Sequence, residues 1–143
     1  MKNYINYLLI TLFISIIYLS CSKNDPQTEI NIAYKMLAEK SWYLESIDTI
    51  TNNRTSTNSY FGQPTYFINF LNNKTTRDSD GFSGTYSVNK SGTKLTLSIN
   101  TNSSNGNPNN YNYEVISLGD KNMILSFIQN HRTIIYYYNT IRQ

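Results

Sequence analysis

Charge is scarce in this chain. Of its 143 residues, 15% are Asp, Glu, Lys or Arg, against roughly 25% in an average soluble domain, and Asn, Ser and Thr fill the deficit. The surface should therefore be polar but weakly charged. The formal net charge is +3, or +2 once Lys2 is removed with a leader, too little for the grip on phosphates that nucleic-acid binding requires. No nucleic-acid partner is expected. There is one cysteine, Cys21, so no intramolecular disulfide can form and no CxxC or Cys/His zinc cluster can be assembled. The single histidine, His131, lies in a polar turn, and no paired carboxylates or Ser/His constellation stand at a spacing that builds a catalytic site. No catalytic residue, metal ligand or cofactor is expected. An apolar run of the roughly 18 to 20 residues that cross a bilayer as a helix is missing too.

What the N-terminus does contain is Met1-Lys2 followed by a shorter apolar core, Leu8 to Leu19, of the length of a secretory h-region. Residues 1–20 are read as a signal peptide. Its last residues, with the one after it, Tyr18-Leu19-Ser20-Cys21, resemble the bacterial lipobox, in which a small residue precedes a cysteine that is acylated and becomes the new N-terminus. The resemblance implies lipidation, palmitate included, at Cys21. Two or three acyl chains at about 0.8 kcal/mol per buried methylene would tether the protein to a membrane. Ser22 follows the cysteine, which by the sorting rule of such lipoproteins points to the outer membrane. Ser22-Lys23-Asn24-Asp25 resembles the signal that carries Bacteroidetes lipoproteins to the cell surface. Residues 21–28, polar and holding Pro26, are expected to be a lipidated N-terminus and flexible linker.

The folded domain is expected over residues 29–143. Glu29 to Lys40 places Ile30, Ala33, Tyr34 and Leu37 at helical spacing, with Thr28 as N-cap. Seven strand-length runs follow, bounded by Asn, Gly, Ser, Asp or Pro: Ser41 to Ile50, Pro64 to Leu71, Phe82 to Asn89, Thr93 to Asn100, Tyr111 to Leu118, Asn122 to Gln129 and Thr133 to Tyr138. Thr101 to Asn110 is read as a loop. Leu95, Leu97 and Ile99 alternate with Lys94, Thr96 and Ser98, and Met123, Leu125 and Phe127 alternate in the same way, so these faces should point inward. The expected fold is all-β, an antiparallel up-and-down meander of seven to eight strands closing into a barrel, with one N-terminal helix. Closure removes the open edges that invite aggregation.

Leu37-Ala38-Glu39-Lys40-Ser41-Trp42-Tyr43-Leu44 resembles the first strand of the lipocalin-like domains of Bacteroidetes lipoproteins. Tyr66-Phe67-Ile68-Asn69-Phe70, Gly84-Thr85-Tyr86-Ser87-Val88, Leu95-Thr96-Leu97, Tyr113 to Leu118 and Met123 to Phe127 are similar to that family's later strands, in order. Lys40 stands where the family has glycine. The resemblance implies a calycin-like β-barrel, with Trp42 closing its floor beside the helix and Arg132 or Arg142 stacked over it.

Inward aromatic and apolar side chains of such a barrel are candidates for ligand binding, here Trp42, Phe70, Tyr86, Leu97, Phe127 and Tyr136. Two functions follow: a barrel that binds a small apolar ligand, or a side-chain-filled barrel that contacts a protein or glycan partner at the surface. Tyr136-Tyr137-Tyr138 should put two rings on one face and one on the other. Asp78-Ser79-Asp80-Gly81 resembles part of a calcium loop but lacks its further ligands, and is read as a hairpin turn. His131 is read as a solvated turn residue.

Overall fold

The computed structural model describes residues 25–60, 66–102 and 108–141. The leader, Cys21, Pro64 and Arg142 lie outside them. One helix, α1 (Pro26–Leu37), precedes nine strands: β1 (Ser41–Thr51), β2 (Arg54–Ser59), β3 (Phe67–Phe70), β4 (Thr75–Asp78), β5 (Ser83–Ser91), β6 (Lys94–Asn102), β7 (Pro108–Leu118), β8 (Asn122–Gln129) and β9 (Arg132–Asn139).

The helix starts and stops three residues before the positions expected for it. Asp25, not Thr28, is the N-cap, accepting a hydrogen bond from the Gln27 N–H at 3.2 Å, and Pro26 occupies the first turn, where its missing N–H costs nothing. Part of the expected linker is thus helical. Ala38 leaves the helix for extended backbone and bridges to Phe70. Glu39, at φ 62°, turns the chain into β1.

All pairings between strands are antiparallel, and β1 pairs with β9 to close the sheet. The barrel has eight strands, with β2 outside it. β2 and β3 lie along the same edge of β1. Ser46 to Thr51 face β2, Ser41 to Tyr43 face β3, and between them the Tyr60 N–H donates to Glu45 O while the Leu44 N–H donates to Tyr66 O. They are two halves of one line of backbone, parted at residues 61–65. Only the β3 half is continued by β4.

Two strands, β2 and β4, have no counterpart among the expected runs. All six residues of β2 are polar and exposed, so no apolar alternation marks it; its sign is the Asn52-Asn53 turn, both residues at positive φ, the conformation of a two-residue hairpin. β4 is four polar residues, held because Thr76 turns into the core, 3% exposed. The expected loop over 101–110 is strand at both ends, since β6 and β7 pair out to Asn102 and Pro108.

The inward alternation holds. Leu97, Ile99, Met123 and Leu125 are buried, and Phe127 packs among tyrosines. Trp42, Phe70, Leu97 and Met123, with Leu37 from the helix, are the largest fully buried side chains. They fill the end of the barrel that α1 covers. Burying apolar surface at about 25 cal/mol per Å² is what holds this end together. The other end, the mouth, carries the turns at Asn52-Asn53, Ser79-Asp80 and Asn130-His131.

Candidate functional site

Above the packed floor, tyrosine and phenylalanine rings line the barrel interior. Tyr111, Tyr113 and Phe127 form a mutually packed group with ring centroids 5.6 to 6.2 Å apart. Tyr136 meets Tyr113 edge-on at 5.7 Å and stacks on Tyr138 at 6.4 Å. Strand alternation explains the group: Tyr111 and Tyr113 are two residues apart on β7, Tyr136 and Tyr138 two apart on β9, and both pairs point inward. Tyr137 faces the other way, its hydroxyl donating to Asp48 Oδ2 at 3.1 Å on the outer wall.

Burial pushes the phenols of Tyr66, Tyr113 and Tyr138 above the usual tyrosine range, because the ionised form would lose its water. For Tyr66 the Asp78 carboxylate adds to the effect, and the Tyr66 hydroxyl donates to Asp78 Oδ2 at 3.1 Å. The other Asp78 oxygen accepts the N–H groups of Asp80, at 3.1 Å, and Phe82, at 2.9 Å. Gly81, at φ 85°, completes the turn. The Asp78 to Gly81 segment is therefore the hairpin turn expected of it, with Asp78 spending its lone pairs on the turn and on Tyr66.

That turn borders a mouth pocket of about 370 Å³ between β3, β4, β6 and β7. Tyr66, Phe82 and Tyr111 give it aromatic walls, and Asp78, Asp80, Thr101 and Asn109 give it polar ones. The size is at the lower end of small-molecule sites. An apolar body could lie against the rings while a hydrogen-bond donor reaches the acidic rim.

Comparison with family models, curated proteins and solved structures finds no match to this chain. The pocket is therefore read from its own geometry.

The residues expected to bind a ligand divide into two groups. Trp42, Phe70, Tyr86 and Leu97 are core residues of the floor, between 0% and 4% exposed; Trp42 donates its indole N–H to Leu37 O and Tyr86 its hydroxyl to Leu71 O. Phe127 and Tyr136 sit higher, among the tyrosines. None of the six lines the mouth pocket directly. The residues that do were legible only in part: Tyr111 belongs to the alternation of β7, whereas the approach of Asp78, Phe82 and Thr101 depends on the pairing of β4, β5 and β6.

The cation over Trp42 is neither of the arginines expected there. Lys40 Nζ stands 5.8 Å from the indole centroid, while Arg132 pairs with Gln129 at the far end of β9, and Arg142 is outside the described residues. Lys40 itself supplies the charge. His131 is an exposed turn residue at φ 60°. Among the described residues no three His, Cys, Asp or Glu side chains converge on one point, and no helix is long and apolar enough to cross a membrane.

Proposed function

We propose that this chain is an outer-membrane lipoprotein, anchored through Cys21, whose lipocalin-like barrel binds a small amphipathic ligand at its mouth without catalysing a reaction. The mouth pocket carries the reading: about 370 Å³ in which Tyr66, Phe82 and Tyr111 oppose Asp78, Asp80, Thr101 and Asn109. Sites for small molecules are mostly apolar with a few placed polar groups that fix orientation. The ligand is expected at the mouth, because the floor is filled by Trp42, Phe70, Leu97 and Met123.

The test is saturable binding of the neutral dye N-phenyl-1-naphthylamine to the purified protein, read by its fluorescence. Thr101→Trp should fill the pocket and abolish the enhancement. Equal binding by wild type and Thr101→Trp, or none by wild type, counts against the pocket.

A second reading, a module that docks on a protein or glycan, is favoured by the outer wall. Ile128 is 73% and Ile116 56% exposed there, and apolar side chains left in water on a sheet face are common at contact surfaces. Ile128→Asp would weaken such docking and leave dye binding unchanged.

A further inference from the structure

The end of the barrel covered by α1 carries a set of exposed apolar side chains. Ile32 is 47%, Leu71 43% and Ile141 53% exposed. They come from the outward side of the helix, the turn between β3 and β4, and the segment after β9. Contacts among these elements bring them to one end. Glu39 N–H donates to Phe70 O, the Thr140 N–H to Lys121 O, and Lys40 Nζ to Asp120 O.

Lysines stand among them. Lys35 is one helical turn beyond Ile32 on α1, Lys121 lies in the turn beside Thr140, and Lys74 Nζ rests 4.9 Å from the Tyr34 ring centroid. Neither Lys35 nor Lys121 pairs with a carboxylate among the described residues. Apolar side chains interspersed with long cationic ones suit a bilayer interface, where lysine stems lie along apolar surface and their heads reach the phosphates.

The length of the tether decides which end meets a membrane. From Cys21 to Asp25, the N-cap of α1, there are four peptide steps, a span of at most about 15 Å. The mouth lies the length of β1 away, eleven residues, or roughly 30 Å after strand tilt. An acylated Cys21 therefore brings the base within reach of the lipid and leaves the mouth beyond it.

We infer that the helix-covered base is a membrane-contacting face, with Ile32, Leu71 and Ile141 at the headgroup boundary and the mouth pocket turned away from the bilayer. The inference rests on the proposed anchor at Cys21. It means that the ligand arrives from the aqueous side, not from the lipid phase.

The experiment uses the full chain, purified with its own lipid and reconstituted into vesicles of phosphatidylethanolamine and phosphatidylglycerol carrying brominated acyl chains. Single cysteines are added at Ile32, Ile141, Ser56 or His131, all exposed positions, and labelled with a bimane maleimide. Cys21, its sulfur held in a thioether, takes no label. Quenching at Ile32→Cys and Ile141→Cys should exceed that at Ser56→Cys and His131→Cys by at least about threefold, given a burial depth of 5–10 Å for interfacial side chains. A Lys121→Cys label should lose at least about half of its quenching when Ile32→Asp and Leu71→Asp are added, because the apolar contact that draws the base into the interface is gone. Equal quenching at the two ends, or stronger quenching at the mouth, overturns the orientation, and an unchanged Lys121→Cys signal overturns the apolar contact. Flotation of the unlabelled wild type with the vesicles reports the anchor separately. Protein that floats without base-selective quenching refutes the inference alone, whereas protein that takes label at Cys21 and fails to float refutes the anchor and the inference together.

Discussion

The indole N–H of Trp42 donates to the carbonyl oxygen of Leu37 at 3.0 Å, inside the core. The last carbonyls of a helix have no partner within it, and at Leu37 that gap is closed by the first inward side chain of β1. The bond joins the only helix among the described residues to the barrel floor, at the point where Leu37, Phe70 and Trp42 are all 0% or 1% exposed.

Trp42→Phe should therefore destabilise the domain by about 1–3 kcal/mol, the cost of a buried acceptor left without its donor, with a further loss from the smaller ring. Urea denaturation followed by far-ultraviolet circular dichroism measures it. A midpoint equal to wild type would show that the bond contributes nothing.

Gly84 is a place where a side chain does not fit. A Cβ there would stand 2.0 Å from the Asn100 carbonyl oxygen on the neighbouring strand, and backbone cannot yield as a flexible side chain can. Gly84→Ala is expected to cost about 1–3 kcal/mol, as overpacking of a close-packed interior does, and to lower the thermal midpoint. Gly92→Ser, at a position with open space but positive φ, should cost less, through backbone strain alone.

The buried phenols predict alkaline lability. Tyr66, Tyr113 and Tyr138 have pKa values raised above the usual 10.0, with burial the main cause. A group whose folded pKa is raised contributes stability that is complete below the unfolded value and is lost as pH climbs towards the folded one, since the unfolded chain releases the proton first. Unfolding free energy should be flat in this respect up to about pH 9 and fall above pH 10. Absorbance at 295 nm should show an early group of ionising tyrosines and a late group that appears only with unfolding. A single transition near pH 10 would contradict the buried assignment.

Labelling cells with a fatty-acid analogue should mark the wild-type chain and leave Cys21→Ala unmarked and unprocessed. Label persisting in Cys21→Ala would sink the lipobox reading. Dye binding at the mouth should be the same for both forms, because the pocket lies at the opposite end of the barrel from α1.

Alternation was the legible part of the fold. Leu95-Thr96-Leu97-Ser98-Ile99 and Met123 to Phe127 declare an inward and an outward face because the side-chain period of a strand is two and only one face is buried. The same rule put two rings of Tyr136-Tyr137-Tyr138 on one face and one on the other, and the structure turns Tyr136 and Tyr138 inward and Tyr137 outward. It is silent where neither face is buried, which is why β2, Arg54-Thr55-Ser56-Thr57-Asn58-Ser59, leaves no apolar mark. It is nearly silent for β4, whose one buried side chain is a threonine.

By itself, then, the sequence determined the class of the domain, since hydrophobic period and turn chemistry are local properties. Tertiary structure alone decided what the barrel encloses. Whether Trp42, Phe70 and Leu97 line a cavity or fill a floor depends on the registers of strands far apart in the chain and on the helix laid across them. The pairing of successive strands likewise brings Tyr66, Phe82, Thr101 and Tyr111 to one pocket, a meeting of side chains that no single stretch of the sequence encodes.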